Sequence, residues 1–187
     1  DLSILGGARR RDGSYRLPHA PIMASRGCPH NCKFCSVTDM FGHRYRLRSP
    51  ELVMDEVRQR HDEGFRSAFF YDDNFAAGRT RCKRFLRMLI DADLDFHWSS
   101  QFSIQVAEDR ELLELLRKAK CHTLFIGLES INPQTLRDYR KDQTVENITE
   151  GVHAIREAGL GVHGMFILGG DTDTADTIDE TVHFAKE

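Results

Sequence analysis

"APIMASRGCPHNCKFCSV", residues 20–37, joins a short apolar run to a loop that carries Cys28, Cys32 and Cys35 within eight residues. The run at 21–26 reads as a strand, and the loop follows it directly. Chemistry-bearing residues placed just after a strand sit at its C-terminal end, where α/β sheets and barrels keep their sites. Thiolates select soft metals: zinc, copper(I) or iron–sulfur clusters. A structural zinc site takes four ligands, commonly two cysteine pairs some distance apart. The spacing here is Cys-x-x-x-Cys-x-x-Cys with no second pair; His30 inside the loop is a candidate fourth ligand, at a spacing unlike the usual zinc finger. Three thiolates on one loop can instead hold three irons of a cubane and leave the fourth iron open, and an open coordination position signals catalysis rather than scaffolding.

Downstream of this loop two periodicities alternate. Apolar residues recur three and four apart at Val53 and Val57, at Cys82, Phe85 and Leu89, at Leu112, Leu116 and Ala119, at Val145, Ile148, Val152 and Ile155, and at Ile178, Val182 and Ala185. These are helix faces. Ser49-Pro50 reads as an N-cap with proline at the first helical position, and Gly64 and Gly159 as helix C-terminal glycines. Between the helices lie "SAFFYDD" (67–73), "FHWSSQF" (96–102), "HTLFIGLE" (122–129) and "GVHGMFILG" (161–169). Strand–helix alternation of this kind predicts a parallel α/β sheet. About five β–α units are visible, and a closed eight-unit barrel needs roughly 250 residues. An open or partial barrel, or a fragment of a larger protein, fits better, with residues 1–20 as a lead-in or linker.

Alternation along the strands assigns faces. Leu124, Ile126 and Leu128 oppose Thr123, Phe125, Gly127 and Glu129; Phe96 and Trp98 oppose His97, Ser99 and Gln101; Val162, Phe166 and Leu168 oppose His163, Met165 and Ile167. The second face of each pair points inward. Each buried unsatisfied polar group costs about 1–3 kcal/mol, so His97, Gln101 and Glu129 argue for a satisfied internal network or for a pocket holding water or a polar ligand.

Net charge is −3, which argues against a nucleic-acid partner recruited by bulk charge. Local basic clusters occur at Arg9-Arg10-Arg11, at Arg44, Arg46 and Arg48, and at Arg79, Arg81, Lys83, Arg84 and Arg87; each reads first as a solvated face. Mean hydropathy is −0.47 with no long apolar run, so no membrane span is expected. Five cysteines, three of them too close for a disulfide framework, point to a reducing, cytoplasmic setting. Cys82 and Cys121 read as inert buried cysteines.

The cysteine loop, with Phe34 before Cys35, resembles the Cys-x-x-x-Cys-x-aromatic-Cys motif of the radical S-adenosylmethionine (radical SAM) superfamily. The resemblance implies a (β/α)6-type barrel over residues 21–187, cut short at its C-terminal end. It implies a [4Fe-4S] cluster on Cys28, Cys32 and Cys35, with the open iron chelating the amino and carboxylate groups of SAM. Reductive cleavage of SAM then gives a 5'-deoxyadenosyl radical. "FFYDDNF" stands where the family binds the SAM amino group; it lacks the usual Gly-Gly-Glu, so Asp72, Asp73 and Asn74 take that place by position. "FIGLES" stands at the ribose-binding position, with Glu129 the primary candidate and Ser130 beside it. "GMFILGG" resembles the adenine-packing motif, with Ile167 and Gly169. Ser99 and Gln101 are candidates for contact with SAM or substrate, and His97, His163 and Met165 for the substrate space. "APIMASRGCPHNCKFC", "YDDNF", "GLESINPQTL" and "HGMFILGGDTDT" are most similar to the branch that carries a cobalamin-binding domain upstream. The resemblance thus implies a small-molecule substrate, an electron donor such as flavodoxin or ferredoxin, and cobalamin held by a domain outside this chain. A tRNA-modifying enzyme of the same superfamily, and a non-catalytic zinc or electron-transfer module, are the alternatives.

Overall fold

The computed structural model describes residues 19–42 and 44–186. The expected lead-in lies outside the described residues except for His19 and Ala20, and Arg9-Arg10-Arg11 lies wholly outside them. β1 (Ala20–Ile22) leads into β2 (Ser25–Arg26); the cysteine loop and α1 (Val37–Phe41) follow, and β3 (Arg46–Leu47) returns to pair antiparallel with β2. The chain then alternates through α2 (Pro50–Asp62), β4 (Ser67–Phe70), α3 (Arg79–Asp91) and β5 (His97–Phe102). A 3-10 turn (Ile104–Glu108) and α4 (Arg110–Lys118) lead to β6 (Cys121–Glu129). α5 (Pro133–Asp138), α6 (Val145–Glu157), β7 (Gly161–Phe166) and α7 (Ala175–Phe184) complete it.

Five strands form one parallel sheet in the order β1-β4-β5-β6-β7. Every crossover carries a helix, so all five C-terminal ends share one rim. The expected α/β architecture of five β–α units is present, as a partial barrel. Three strands end earlier than the sequence suggests. The expected strand at 21–26 leaves the sheet after Ile22, because the Ala24 carbonyl accepts from Arg48 N (3.0 Å) and its N–H donates to Asp72 Oδ2 (2.9 Å). β4 stops at Phe70, since Asp72 and Asp73 turn back onto that same segment. β7 stops at Phe166; beyond it Asp173 Oδ2 accepts from the N–H groups of Gly169 and Gly170, both at 2.9 Å, and closes a turn.

The helices bury the faces that periodicity assigns. Val53, Val57, Cys82, Phe85, Leu112, Leu116, Ile148 and Ile155 are fully enclosed. They meet Leu124 and Ile126 of β6, and an aromatic cluster in which Trp98 lies 5.2 Å from Phe70 and 4.9 Å from Phe75. The Trp98 indole N–H donates to the Ala119 carbonyl at 2.8 Å, so the one tryptophan is buried with its polar atom satisfied. Ser49 Oγ caps α2 by accepting from Leu52 N at 3.3 Å, and Gly64 and Gly159 follow their helices at φ 99° and 79°. α7 departs from expectation: Val182 is 41% exposed, and Thr181 is the buried member of that turn, its hydroxyl donating to the Thr177 carbonyl. Sequence periodicity does not reveal α1, which buries none of its residues. Among the described residues no helix is long and apolar enough to cross a membrane.

Candidate functional site

The shared rim gathers loops that are far apart in sequence. Cys28, Cys32 and Cys35 are free thiols, each half-buried, and all three line one cleft at the C-terminal ends of the strands. Two anchors hold their loop. On one side Gly27 N donates to Asp73 Oδ2 at 3.0 Å. Gly27 sits at φ 88°, and a Cβ there would stand 2.9 Å from the Arg44 carbonyl oxygen, so the turn into the loop requires glycine. On the other side Lys33 N donates to the Tyr139 carbonyl (2.9 Å), and Phe34 packs edge-on against the Tyr139 ring at 5.1 Å. Burial raises the Cys28 and Cys32 thiols above their ordinary pKa. A bound metal reverses that by taking the thiolate outright. His30, in the same cleft, has its pKa lowered by burial and then by Lys141.

Asp73, Asn74, Gln101 and Glu129 line the same cleft. Asn74 is 4% exposed; its Nδ2 donates to Ser103 Oγ at 3.4 Å, and its Oδ1 has no partner. Gln105 Oε1, also in the cleft, is a second buried acceptor without one. Buried acceptors are nearly always bonded, so this pair marks a place for a donor group. Glu129 ends β6 with φ 64°, at a register shift between Gly127 and Glu129. Its Oε1 accepts from Lys141 Nζ at 2.8 Å. A Cβ on Gly127 would stand 2.1 Å from that same oxygen, so the glycine makes the room in which the pair forms. Lys141 Nζ also lies 5.8 Å from the centre of the Phe34 ring, tying the Glu129 side of the cleft to the cysteine loop.

The other candidates divide. Asp72 is fully buried, does not line the cleft, and spends its oxygens on Ala24 N and the Ser25 hydroxyl. Burial raises its pKa. Ser99 is half-buried on the inner face of the sheet but below the cleft, level with Phe69 and Thr123. Ser130 Oγ accepts from Asn132 N at 3.0 Å and shapes the turn into α5. Ile167 N donates to the Glu129 carbonyl (2.8 Å); Ile167 and Gly169 flank the cleft without lining it. Met165 lines it, and His163 stacks on Phe125 with centroids 4.6 Å apart. His97 lies at the opposite end of its strand, exposed, 3.8 Å from Asp95; it opens β5, and the cleft lies where the strands close. Glu129 and Gln101 therefore belong to a pocket, as their inward polarity requires, and His97 does not. Lys141, Gln105 and Asp142 also face the cleft. Gln105 falls in the 3-10 turn and the other two in an irregular segment, where neither periodicity nor a motif marks them. Among the described residues no three His, Cys, Asp or Glu side chains converge as a single metal ion requires.

The basic residues of α3 are not a free cationic surface. Lys83 contacts Asp109 (2.8 Å) and Glu111 (2.7 Å), Arg84 pairs with Glu51, Arg87 with Glu111, and Arg81 donates to the Arg48 carbonyl at 2.6 Å.

The Radical SAM superfamily model matches residues 22–185. Hopanoid C-2 methylase of Rhodopseudomonas palustris is 33% identical over 172 residues, which are 89% of this chain and 33% of that protein. The anaerobic magnesium-protoporphyrin IX monomethyl ester cyclase of Rubrivivax gelatinosus is 30% identical over 167 residues, 87% of this chain and 30% of that one. The radical SAM methyltransferase TsrM from Kitasatospora setae, solved with cobalamin and a [4Fe-4S] cluster bound, superposes with a TM-score of 0.82 at 22% identity. The match covers 90% of this chain and 32% of TsrM. The chain thus spans about a third of the length of these relatives. The cysteine loop at the rim of a partial barrel and the family match over nearly the whole chain agree: the chain belongs to the radical SAM superfamily.

Proposed function

We propose that this chain is the SAM-cleaving core of a radical enzyme that modifies a small molecule, with methyl transfer as the leading reaction. The observation that carries the reading is the convergence of three free cysteines and two unpartnered acceptors on one cleft. The donor set fits: three soft thiolates for the irons, and hydrogen-bond acceptors facing them for an ammonium. When bound, the [4Fe-4S] cluster supplies the electron for reductive cleavage of SAM to a 5'-deoxyadenosyl radical. The chain's own residues bind and orient. Cys28, Cys32 and Cys35 hold the irons. The free oxygen of Asp73 and Oδ1 of Asn74 accept from the SAM ammonium. Lys141 faces its carboxylate, and Glu129 accepts from the ribose hydroxyls. Phe34 covers the cysteine loop, and Gln101 and Met165 face the substrate side.

The length of the relatives and the cobalamin in TsrM support a parent protein with a cobalamin-binding domain upstream of residues 21–187. A flavodoxin or ferredoxin is the fitting electron donor, and the reduced cysteines suit the cytoplasm. The paired basic residues of α3 weigh against the tRNA reading.

Anaerobic reconstitution tests the assignment. The expected result is about four irons and four sulfides per chain, lost in Cys28→Ala, Cys32→Ala and Cys35→Ala and kept in Cys82→Ala. Zinc bound without sulfide would overturn it.

A further inference from the structure

Two adjacent carboxylates end β4, and the sequence offers both to SAM. Their surroundings separate them. Asp72 is fully buried, with one oxygen accepting from Ala24 N at 2.9 Å and the other from the Ser25 hydroxyl. Neither oxygen faces the cleft. Around it, Arg81 Nη2 donates to the Ala24 carbonyl (3.1 Å), and the Tyr45 hydroxyl donates to the Asn74 carbonyl (2.8 Å). The segment 24–27 is thus pinned to the end of β4 immediately before Cys28. Asp73 differs: one oxygen accepts from Gly27 N at 3.0 Å while the residue also lines the cleft.

We infer that Asp72 is a positioning residue for the cysteine loop and makes no contact with SAM, which leaves Asp73 as the carboxylate of the pair open to the ligand. The inference rests on the proposed cluster and SAM site. Asp72 fixes the stem from which the loop springs. Asp73 touches the residue before Cys28 with one oxygen and offers the other to the ligand.

The test uses the reconstituted chain and two readouts: iron release to a chelator, with and without SAM, and SAM affinity by equilibrium dialysis at matched cluster content. Asp72→Ala is expected to speed iron release by roughly tenfold, the size of one lost charge-assisted bond, with SAM affinity unchanged within about twofold. Asp72→Asn keeps an acceptor for Ala24 N and is expected to restore slow release. Asp73→Asn is expected to weaken SAM by about tenfold or more, with iron release in the absence of SAM within about twofold of wild type. Should Asp72→Ala not fold, Ser25→Ala removes one of the two donors and is expected to speed release with SAM affinity intact. Loss of SAM affinity in Asp72→Asn at full cluster content would overturn the assignment, as would wild-type SAM affinity in Asp73→Asn. A wild-type chain that takes up no cluster would instead refute the proposed function itself.

Discussion

Replacing Gly127 with alanine puts one methyl group where the Glu129 carboxylate now lies. The added Cβ would stand 2.1 Å from Glu129 Oε1, 3.1 Å from its Cδ and 3.0 Å from Lys141 Nζ. Ordinary contact needs more than an ångström beyond the shortest of these, so the carboxylate must swing away. Its bond to Lys141, 2.8 Å long between side chains only 9% and 17% exposed, is expected to break in that swing. A charge-assisted hydrogen bond contributes roughly 1.5–3 kcal/mol. At about 2–4 °C per kcal/mol for a domain of this size, the melting temperature should fall by about 3–12 °C. The functional effect should be separate from that loss. If Glu129 accepts from the ribose, SAM affinity should drop by about tenfold or more, since a charged acceptor is misplaced. Gly151→Ala is the matched control: its Cβ would meet Ile104 Cδ1 at 2.7 Å, in the packing between α6 and the 3-10 turn. It should destabilise by overpacking, about 1–3 kcal/mol, with SAM affinity unchanged once folded. Thermal melts and equilibrium dialysis read both effects. A Gly127→Ala chain with wild-type SAM affinity would refute the role given to Glu129.

Further outcomes are expected. Burial pushes the Cys82 thiol up to about 12 and raises Cys121 as well, so iodoacetamide at pH 8 should label neither in the folded apo chain while labelling the cysteine loop; mass spectrometry of the peptides reads the pattern. The Asp72 carboxyl is raised by burial, so its contribution to stability is full below the unfolded carboxylate pKa and is lost as pH rises through the folded value. Wild type should therefore gain stability relative to Asp72→Asn as pH falls, measured as the difference in melting temperature across pH 4 to 7. Trp98→Ala, at a site 1% exposed among Phe70, Phe75 and Phe102, should cost about 3–5 kcal/mol by urea titration, with the rim intact.

Local signals made the fold readable. Val53 and Val57, Cys82 and Phe85, and Leu112 and Leu116 each mark a helix face by spacing alone, and each pair is fully buried. Strand ends were less legible, because tertiary hydrogen bonds set them. Ile22 ends β1 since Ala24 bonds Asp72 and Arg48, partners 48 and 24 residues away that no local pattern announces. Val182 misled for a similar reason: its spacing fits a buried face, yet Thr181 takes that place. At the site, Cys28, Cys32, Cys35, Asn74 and Glu129 were legible because their chemistry is concentrated in motifs. Lys141 was not, since it stands in an irregular turn and meets Glu129, twelve residues earlier, only through the fold. The different surroundings of Asp72 and Asp73 were equally hidden, because two like residues in a row look alike in sequence.

The central claim is that three thiolates leave one iron open for SAM. Electron paramagnetic resonance of the reconstituted, reduced chain tests it most directly. A [4Fe-4S] signal whose g-values shift on adding SAM is the predicted result. A cluster whose spectrum is the same with and without saturating SAM would contradict it.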